Sequence, residues 1–248
     1  MEVSLAGRTA VITGGSKGIG LAIAKRFAAS GADVAIIARG RGALDEAAKS
    51  IGAGAKGRVA AIAGDVGVAA DIKRAYDEAM AALGKVDIVV NNAAVLTSMH
   101  AMLMPATRAE EMIRTNVLGV LYVSREAAKL MRKSKWGRII NIGSMASTLE
   151  PVGDSMYAAS KSASLTLTGV LAKEFASYGV TVNTLAVTAF ETDMLDQLPR
   201  EKVDAVIAGL PLARYPTTED ITNVVDFFAS PRSSYITAQT LYLGGVHG

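Results

Sequence analysis

The strongest limit on what this chain can fold into is its alternation of short apolar runs with helical stretches. Arg8 to Thr13 (RTAVIT), Ala32 to Ala38 (ADVAIIA), Val59 to Ala63, Val86 to Val90 (VDIVV), Arg138 to Ile142 (RIINI), Val180 to Val187 and Thr240 to Leu243 each read as a strand. Between them lie helical segments. Ile19, Ile23, Ala24 and Phe27 recur at helical spacing before a stop at Gly31. Gly40 to Ile51, Asp71 to Leu83, about Ala106 to Lys133, and a helix around Tyr157 reaching about Tyr178 follow. The last, Thr218 to Ala229, has Thr217 or Thr218 as its cap and Glu219 and Asp220 in its first turn. This order predicts an α/β chain: a single doubly wound parallel sheet (a Rossmann fold) with helices on both faces. No linker, repeat or low-complexity stretch interrupts it, so residues 1–248 are expected to form one domain. Sheets of this kind take ligands at the carboxyl ends of their strands, near the point where strand order reverses.

Composition removes several function classes. Half of the 248 residues are hydrophobic, enough for one large core. Cysteine is absent, which excludes disulfides and thiolate metal sites and fits a reducing cytosol. The net charge of +3 is small and its lysines and arginines are scattered, so nucleic-acid binding is not expected. No run approaches the roughly 18 apolar residues of a membrane helix, and the N-terminus lacks a secretory pattern. A cytoplasmic location is expected. His100 and His247 stand alone, so no metal is expected.

Thr13 to Gly20 (TGGSKGIG) joins the first strand to the first helix. Gly14, Gly18 and Gly20 permit a tight turn and close approach of backbone to phosphate. Ser16, Lys17 and Ile19 lie between them, and the helix N-terminus beyond attracts a pyrophosphate. The spacing is G-x-x-x-G-x-G. A plain glycine turn is the alternative, but the strand–turn–helix setting favours a dinucleotide. The second strand ends Ala38-Arg39, without the acidic residue that bonds a ribose hydroxyl in NAD sites; Asp33 is at the far end. Arg39 and Lys17 favour a 2′-phosphate, hence NADP(H).

Tyr157 and Lys161 are four residues apart and share one helix face. A tyrosine with a free pKa of about 10 is a poor acid–base group at neutral pH. A fixed positive charge beside it favours the phenolate, and a tuned phenol can exchange a proton with a carbonyl or hydroxyl oxygen.

The glycine turn, Asn91-Asn92-Ala93-Ala94 after the fourth strand, Asn116, Ser144 and Tyr157-x-x-x-Lys161 stand in an order that resembles the short-chain dehydrogenase/reductase family over essentially the whole chain. Within it the chain looks most like the 3-oxoacyl-(acyl-carrier-protein) reductase type. The resemblance implies that Tyr157 is the acid–base catalyst. Lys161 lowers its pKa and bonds the nicotinamide ribose, Ser144 polarises the substrate oxygen, and Asn116 holds a water linking Lys161 to solvent. It further implies that Asp65 and Val66 contact the adenine, and that Asn91, Asn92, Ala93 and their backbone line the cofactor. A substrate lid is implied at about 188–212, as is a homotetramer or dimer through the long helices at 106–133 and 155–178.

Two departures stand out. The family has Pro-Gly after the sixth strand, then a threonine; here Val187-Thr188 precedes Thr192. That turn normally meets the nicotinamide, and a β-branched residue disfavours positive φ. The family also has Asp or Asn before Gly-Gly near the C-terminus, where Leu243 precedes Gly244-Gly245. Met145, Met156, Phe190 and Met194 are the expected substrate pocket, with Met99, Met102, Met104, Leu195 and Leu198 near it. Methionine surfaces adapt to varied apolar shapes, so a hydrophobic ketone or its secondary alcohol is the expected substrate. Arg200 and Lys202 could meet an acidic acyl carrier protein. The resulting expectation is an NADPH-dependent carbonyl reductase that is reversible as an alcohol dehydrogenase. The alternatives are an NAD-dependent sugar or sterol alcohol dehydrogenase and a non-catalytic dinucleotide-binding sensor or scaffold.

Overall fold

A computed structural model describes residues 3–246 apart from 191, 193, 194, 196 and 197. Seven strands form one parallel sheet in the order β3-β2-β1-β4-β5-β6-β7. These are β1 (Thr9–Thr13), β2 (Asp33–Ala38), β3 (Val59–Ala63), β4 (Ile88–Asn91), β5 (Gly137–Ser144), β6 (Val180–Val187) and β7 (Thr240–Tyr242). The order reverses between β1 and β4. The predicted doubly wound sheet is therefore present, with its switch point at that pair.

Parallel strands need crossovers, and helices supply them on both faces. One face packs α1 (Gly18–Ala29), α2 (Arg41–Gly52) and α9 (Thr218–Ala229) through Ile23, Phe27, Leu44 and Phe228 onto Ile12, Ile36 and Ile88. The other packs α3 (Ala69–Leu83), α5 (Gly119–Ser134) and α7 (Ser155–Phe175) through Ile72, Tyr76, Met131 and Leu171 onto Val11, Ile37 and Val89. Adjacent residues such as Val11 and Ile12 enter opposite cores because strand side chains alternate. This is why the strands read as unbroken apolar runs. A capping box between Thr217 and Asp220 starts α9, so Thr217 is the cap.

Two local features differ from the sequence expectation. The long helix predicted from about Ala106 to Lys133 is α4 (Ala106–Ile113), a π-helical turn (Arg114–Leu118) and α5 in succession. A π-turn leaves the apolar period nearly intact, so the pattern does not reveal it. The fifth strand also runs past Ile142 to Ser144, with all its residues buried. Gly143 permits the extension, since a Cβ there would lie 2.8 Å from the Thr184 methyl.

Glycines in two helices should respond oppositely to a methyl group. A Cβ on Gly20 would meet the Gly14 carbonyl oxygen at 2.3 Å and Asn92 Nδ2 at 2.5 Å, whereas one on Gly42 meets nothing within 4 Å. Gly20→Ala should destabilise the fold by about 1–3 kcal/mol through overpacking. Gly42→Ala, at the second residue of α2, should stabilise it by about 0.4–1 kcal/mol by reducing the entropy of the unfolded chain. Urea unfolding of both variants beside the parent checks the pair of signs.

Candidate active site

A cavity of about 710 Å³ opens at the carboxyl ends of β1, β2, β4, β5 and β6. Its floor at one end is the glycine turn. Gly14 and Gly18 have φ of +63° and +53°, the left-handed region that favours glycine. A Cβ on Gly14 would sit 2.8 Å from Asn92 Nδ2, and one on Gly18 would sit 2.9 Å from the Thr192 methyl. Gly14, Ser16, Lys17, Gly18 and Ile19 line the cavity, while Gly20 lies beneath it in the first turn of α1. The turn is thus a concave backbone surface followed directly by a helix N-terminus, which suits a diphosphate. Arg39, Asp65 and Val66 line the adjoining end. The Arg39 side chain is 64% exposed and makes a loose 3.8 Å pair with Glu111. Asp65 is tied into its own turn, its Oδ1 accepting from the Gly67 amide at 2.8 Å.

Asn92 and Ala93 form the wall where β1 and β4 part. The Thr13 hydroxyl accepts from the amides of Asn92 at 3.0 Å and Ala93 at 3.1 Å. Asn92 Nδ2 in return donates to the carbonyls of Thr13 and Gly14. Sequence reasoning missed Thr13, although its place as the last residue of β1, before the glycines, was a signal. Asn91 corrects an expectation: it does not line the cavity. It is buried below, donating to Ser124 Oγ at 2.9 Å and Asn141 Oδ1 at 2.8 Å. As a strand residue next to Asn92, it must point the other way.

The other end of the cavity holds Ser144, Tyr157 and Lys161. Ser144 ends β5, and its Oγ accepts from the Ala146 amide at 3.1 Å. Tyr157 and Lys161 are in the first two turns of α7, with Lys161 Nζ 5.8 Å from the Tyr157 ring centre. Nζ donates to the Ile142 carbonyl at 2.9 Å, so a strand carbonyl sets its position. Burial pushes the Lys161 ammonium down to about 8. Burial also pushes the Tyr157 phenol up to about 12; a hydrogen bond with the Ser144 side chain opposes this, and the Asp154 charge adds to it. The sequence reading has Lys161 lowering the phenol; in the protein alone, burial outweighs any such effect.

Asn116 is outside the cavity lining, in the π-helical turn. Its Oδ1 accepts from the Val95 amide and its Nδ2 donates to the Val95 carbonyl, both at 2.9 Å. Nδ2 also donates to Ser160 Oγ at 3.0 Å, and Ser160 donates to the Tyr157 carbonyl at 2.7 Å. The Asn116 carbonyl accepts from Ser164 at 2.9 Å. Asn116 therefore ties the segment after β4 to the helix that carries Tyr157.

Val187 and Thr192 also line the cavity, Thr192 with its methyl against the glycine turn at Gly18. The strand continues through Val187, whose carbonyl accepts from the Met145 amide at 2.8 Å, and neither Val187 nor Thr188 adopts a positive φ. Of the expected substrate pocket, Met145 and Phe190 line the cavity, with Leu195 and Leu198. Met156 is half-buried on α7 and does not line it, nor do Met99, Met102 and Met104. Met194 lies outside the described residues. No cluster of metal-ligating side chains occurs among the described residues, and no described helix is long and apolar enough to cross a membrane.

The geometry agrees with what comparison finds. A family model described as short chain dehydrogenase matches residues 8–203. The 3-oxoacyl-[acyl-carrier-protein] reductase of Vibrio cholerae is 35% identical over 243 residues, 98% of each chain. Among solved structures, a gluconate 5-dehydrogenase from Burkholderia cenocepacia in complex with NADP and tartrate superposes with a TM-score of 0.92 at 31% identity, covering 98% of this chain and 96% of the other. A short-chain type dehydrogenase/reductase from Mycobacterium marinum gives 0.91 at 32% identity, again covering 98% and 96%. With a dinucleotide-shaped turn at one end of its cavity and Ser144, Tyr157 and Lys161 at the other, the chain belongs to the short-chain dehydrogenase/reductase family of oxidoreductases.

Proposed function

We propose that the protein is an NADPH-dependent reductase that converts a ketone with an apolar body to a secondary alcohol, reversibly. The observation that carries this reading is the convergence of the Ser144 hydroxyl, the Tyr157 phenol and the Lys161 ammonium on one cavity whose far end is the glycine turn. Gly14 and Gly18 leave the backbone bare where a diphosphate would approach, and Lys17 and Arg39 supply cations for a 2′-phosphate. The solved relative that holds NADP supports that cofactor. When bound, the nicotinamide supplies the hydride. The chain's own residues do the rest. Ser144 donates to the carbonyl oxygen, Tyr157 gives that oxygen a proton as negative charge develops, and Lys161 favours the phenolate left behind.

The named activity of the Vibrio cholerae relative supports a 3-oxoacyl thioester as one candidate substrate, with an acyl carrier protein as the partner delivering it. Residues about 188–212 serve as a lid in this reading. The lid contains α8 (Arg200–Ala208), and its Leu195, Leu198, Lys202 and Val203 face the cavity. The reading also has the protein working in the cytoplasm as a homotetramer through its long helices. Apolar Val170, exposed on α7, suits such an interface.

Tyr157→Phe should lower kcat by about a hundredfold or more while NADPH still quenches protein fluorescence at similar concentrations. Full turnover in that variant would remove Tyr157 as proton donor, and a kcat/KM favouring NADH would overturn the role of Arg39 and Lys17.

Lys161 should reveal itself by its cost. A buried lysine whose pKa falls from 10.5 to about 8 is less stable charged in the fold than in the unfolded chain. The unfolded state binds more protons between those values. The penalty is therefore complete below pH 8 and is relieved as pH rises towards 10.5. The Tyr157 phenol, raised from 10.0 to about 12, contributes with opposite sign only above pH 10. Lys161→Met should lose activity yet gain stability at pH 7, by on the order of 1–3 kcal/mol. Urea unfolding at pH 7 and pH 10 checks this: the advantage over the parent should shrink at the higher pH.

A further inference from the structure

Arg39 is a cation on which the choice of cofactor rests in the reading above, and it has a partner that the reading does not use. Its Nη1 lies 3.8 Å from Oε1 of Glu111, on α4. The pair joins the end of β2 to the helix that leads into Thr115, and both Arg39 and Thr115 line the cavity. Its two members are held differently. The Glu111 side chain is 22% exposed, and its other oxygen, Oε2, accepts from Arg108 Nη1 at 2.9 Å, one turn earlier on α4. The Arg39 side chain is 64% exposed, and a separation of 3.8 Å is longer than a hydrogen bond. The carboxylate is therefore the fixed member and the guanidinium the movable one. Arg41, the next cation along the chain, is already engaged by Asp45 on its own helix at 3.1 Å.

An anion that reaches Arg39 meets this carboxylate. A phosphate oxygen in hydrogen-bond contact with the same guanidinium lies within about 7 Å of the Glu111 oxygen. That is inside the range over which like charges repel at physiological salt. Either Arg39 leaves Glu111 to meet the phosphate, or the two anions share it. Both courses weaken the binding of a phosphate. Neither touches a ribose hydroxyl, which carries no charge. Partly exposed ion pairs are worth little, so the effect is a graded bias rather than a block.

We propose that Glu111 is a positioning residue that sets cofactor specificity through Arg39: its carboxylate competes with the 2′-phosphate for the guanidinium and so lowers the preference for NADPH over NADH. The free protein keeps the Arg39–Glu111 pair, and the 2′-phosphate opens it. This rests on the NADPH reading and deepens it, since the preference is then set by two residues on opposite sides of the adenine end.

The test is calorimetric titration of the full chain with NADPH and with NADH at low ionic strength. Glu111→Gln should bind NADPH about two- to fivefold more tightly than the parent and NADH at the parent's affinity. The gain should shrink as salt is raised. In an Arg39→Gln background the same substitution should leave NADPH affinity nearly as it was. NADPH binding that is unchanged or weaker in Glu111→Gln, equal shifts for both dinucleotides, or a gain of the same size without Arg39 overturns the proposal. A parent that binds NADH and not NADPH removes the NADPH reading separately. Glu111→Gln then decides: NADPH binding gained with the carboxylate gone supports competition at Arg39, and none overturns it. Binding of neither dinucleotide by parent and variant alike overturns both.

Discussion

The site depends on how β1 and β4 part at their carboxyl ends. They are hydrogen-bonded neighbours through Ile12 and Val90, and beyond that point the chain leaves for opposite faces of the sheet. Parting exposes backbone amides that need partners in a buried place. One threonine hydroxyl supplies them, accepting from Asn92 and Ala93, while Asn92 returns its own amide to the carbonyls of Thr13 and Gly14. The approach is so close that Gly14 and Gly20 cannot carry side chains. Glycine turn and Asn-Asn-Ala-Ala segment are therefore one construction, and the concave cradle is its outer surface.

The opposite end is built on a different economy. Lys161 is buried and Tyr157 half-buried, the charged form of each is disfavoured, and the fold gains little from either. What holds them is a set of polar contacts around the start of α7: Lys161 on the Ile142 carbonyl, Ser160 between Asn116 and the Tyr157 carbonyl, and Ser164 on the Asn116 carbonyl. That last contact falls in the π-helical turn, where carbonyls are displaced from the regular ladder and can accept from outside. An irregular turn in an otherwise regular helix thus serves to fix the helix that carries the phenol.

Much of this was legible in the chain. Strand and helix order followed from apolar runs and glycine stops, because a parallel sheet buried on both faces writes itself as such runs. The cradle followed from Gly14, Gly18 and Gly20 in their strand–turn–helix setting. The rest was hidden for physical reasons. The π-turn changes the helical period too little to see, and Asn91 and Asn92 look alike until strand alternation sends one into the sheet. Met156 and Met145 look alike until a helix face turns one away from the cavity.

The two departures from the family pattern meet in space. Val187 extends β6 opposite Ser144, so the turn that normally needs glycine begins later and its backbone remains unstrained. Thr188 is then buried, and its methyl lies against the position of Gly244, where a Cβ would approach to 3.0 Å. Gly244 and Gly245 adopt φ of +71° and +89°, conformations that glycine enters freely. Leu243, immediately before them, donates its amide to the Ala186 carbonyl at 3.1 Å and packs its side chain towards the core. Replacing Pro-Gly with Val-Thr therefore moves bulk into a space that the C-terminal glycines leave open. An apolar residue at 243 suits its place under β6 better than a carboxylate would. The two changes read as one adjustment of the cavity wall at the end of β6.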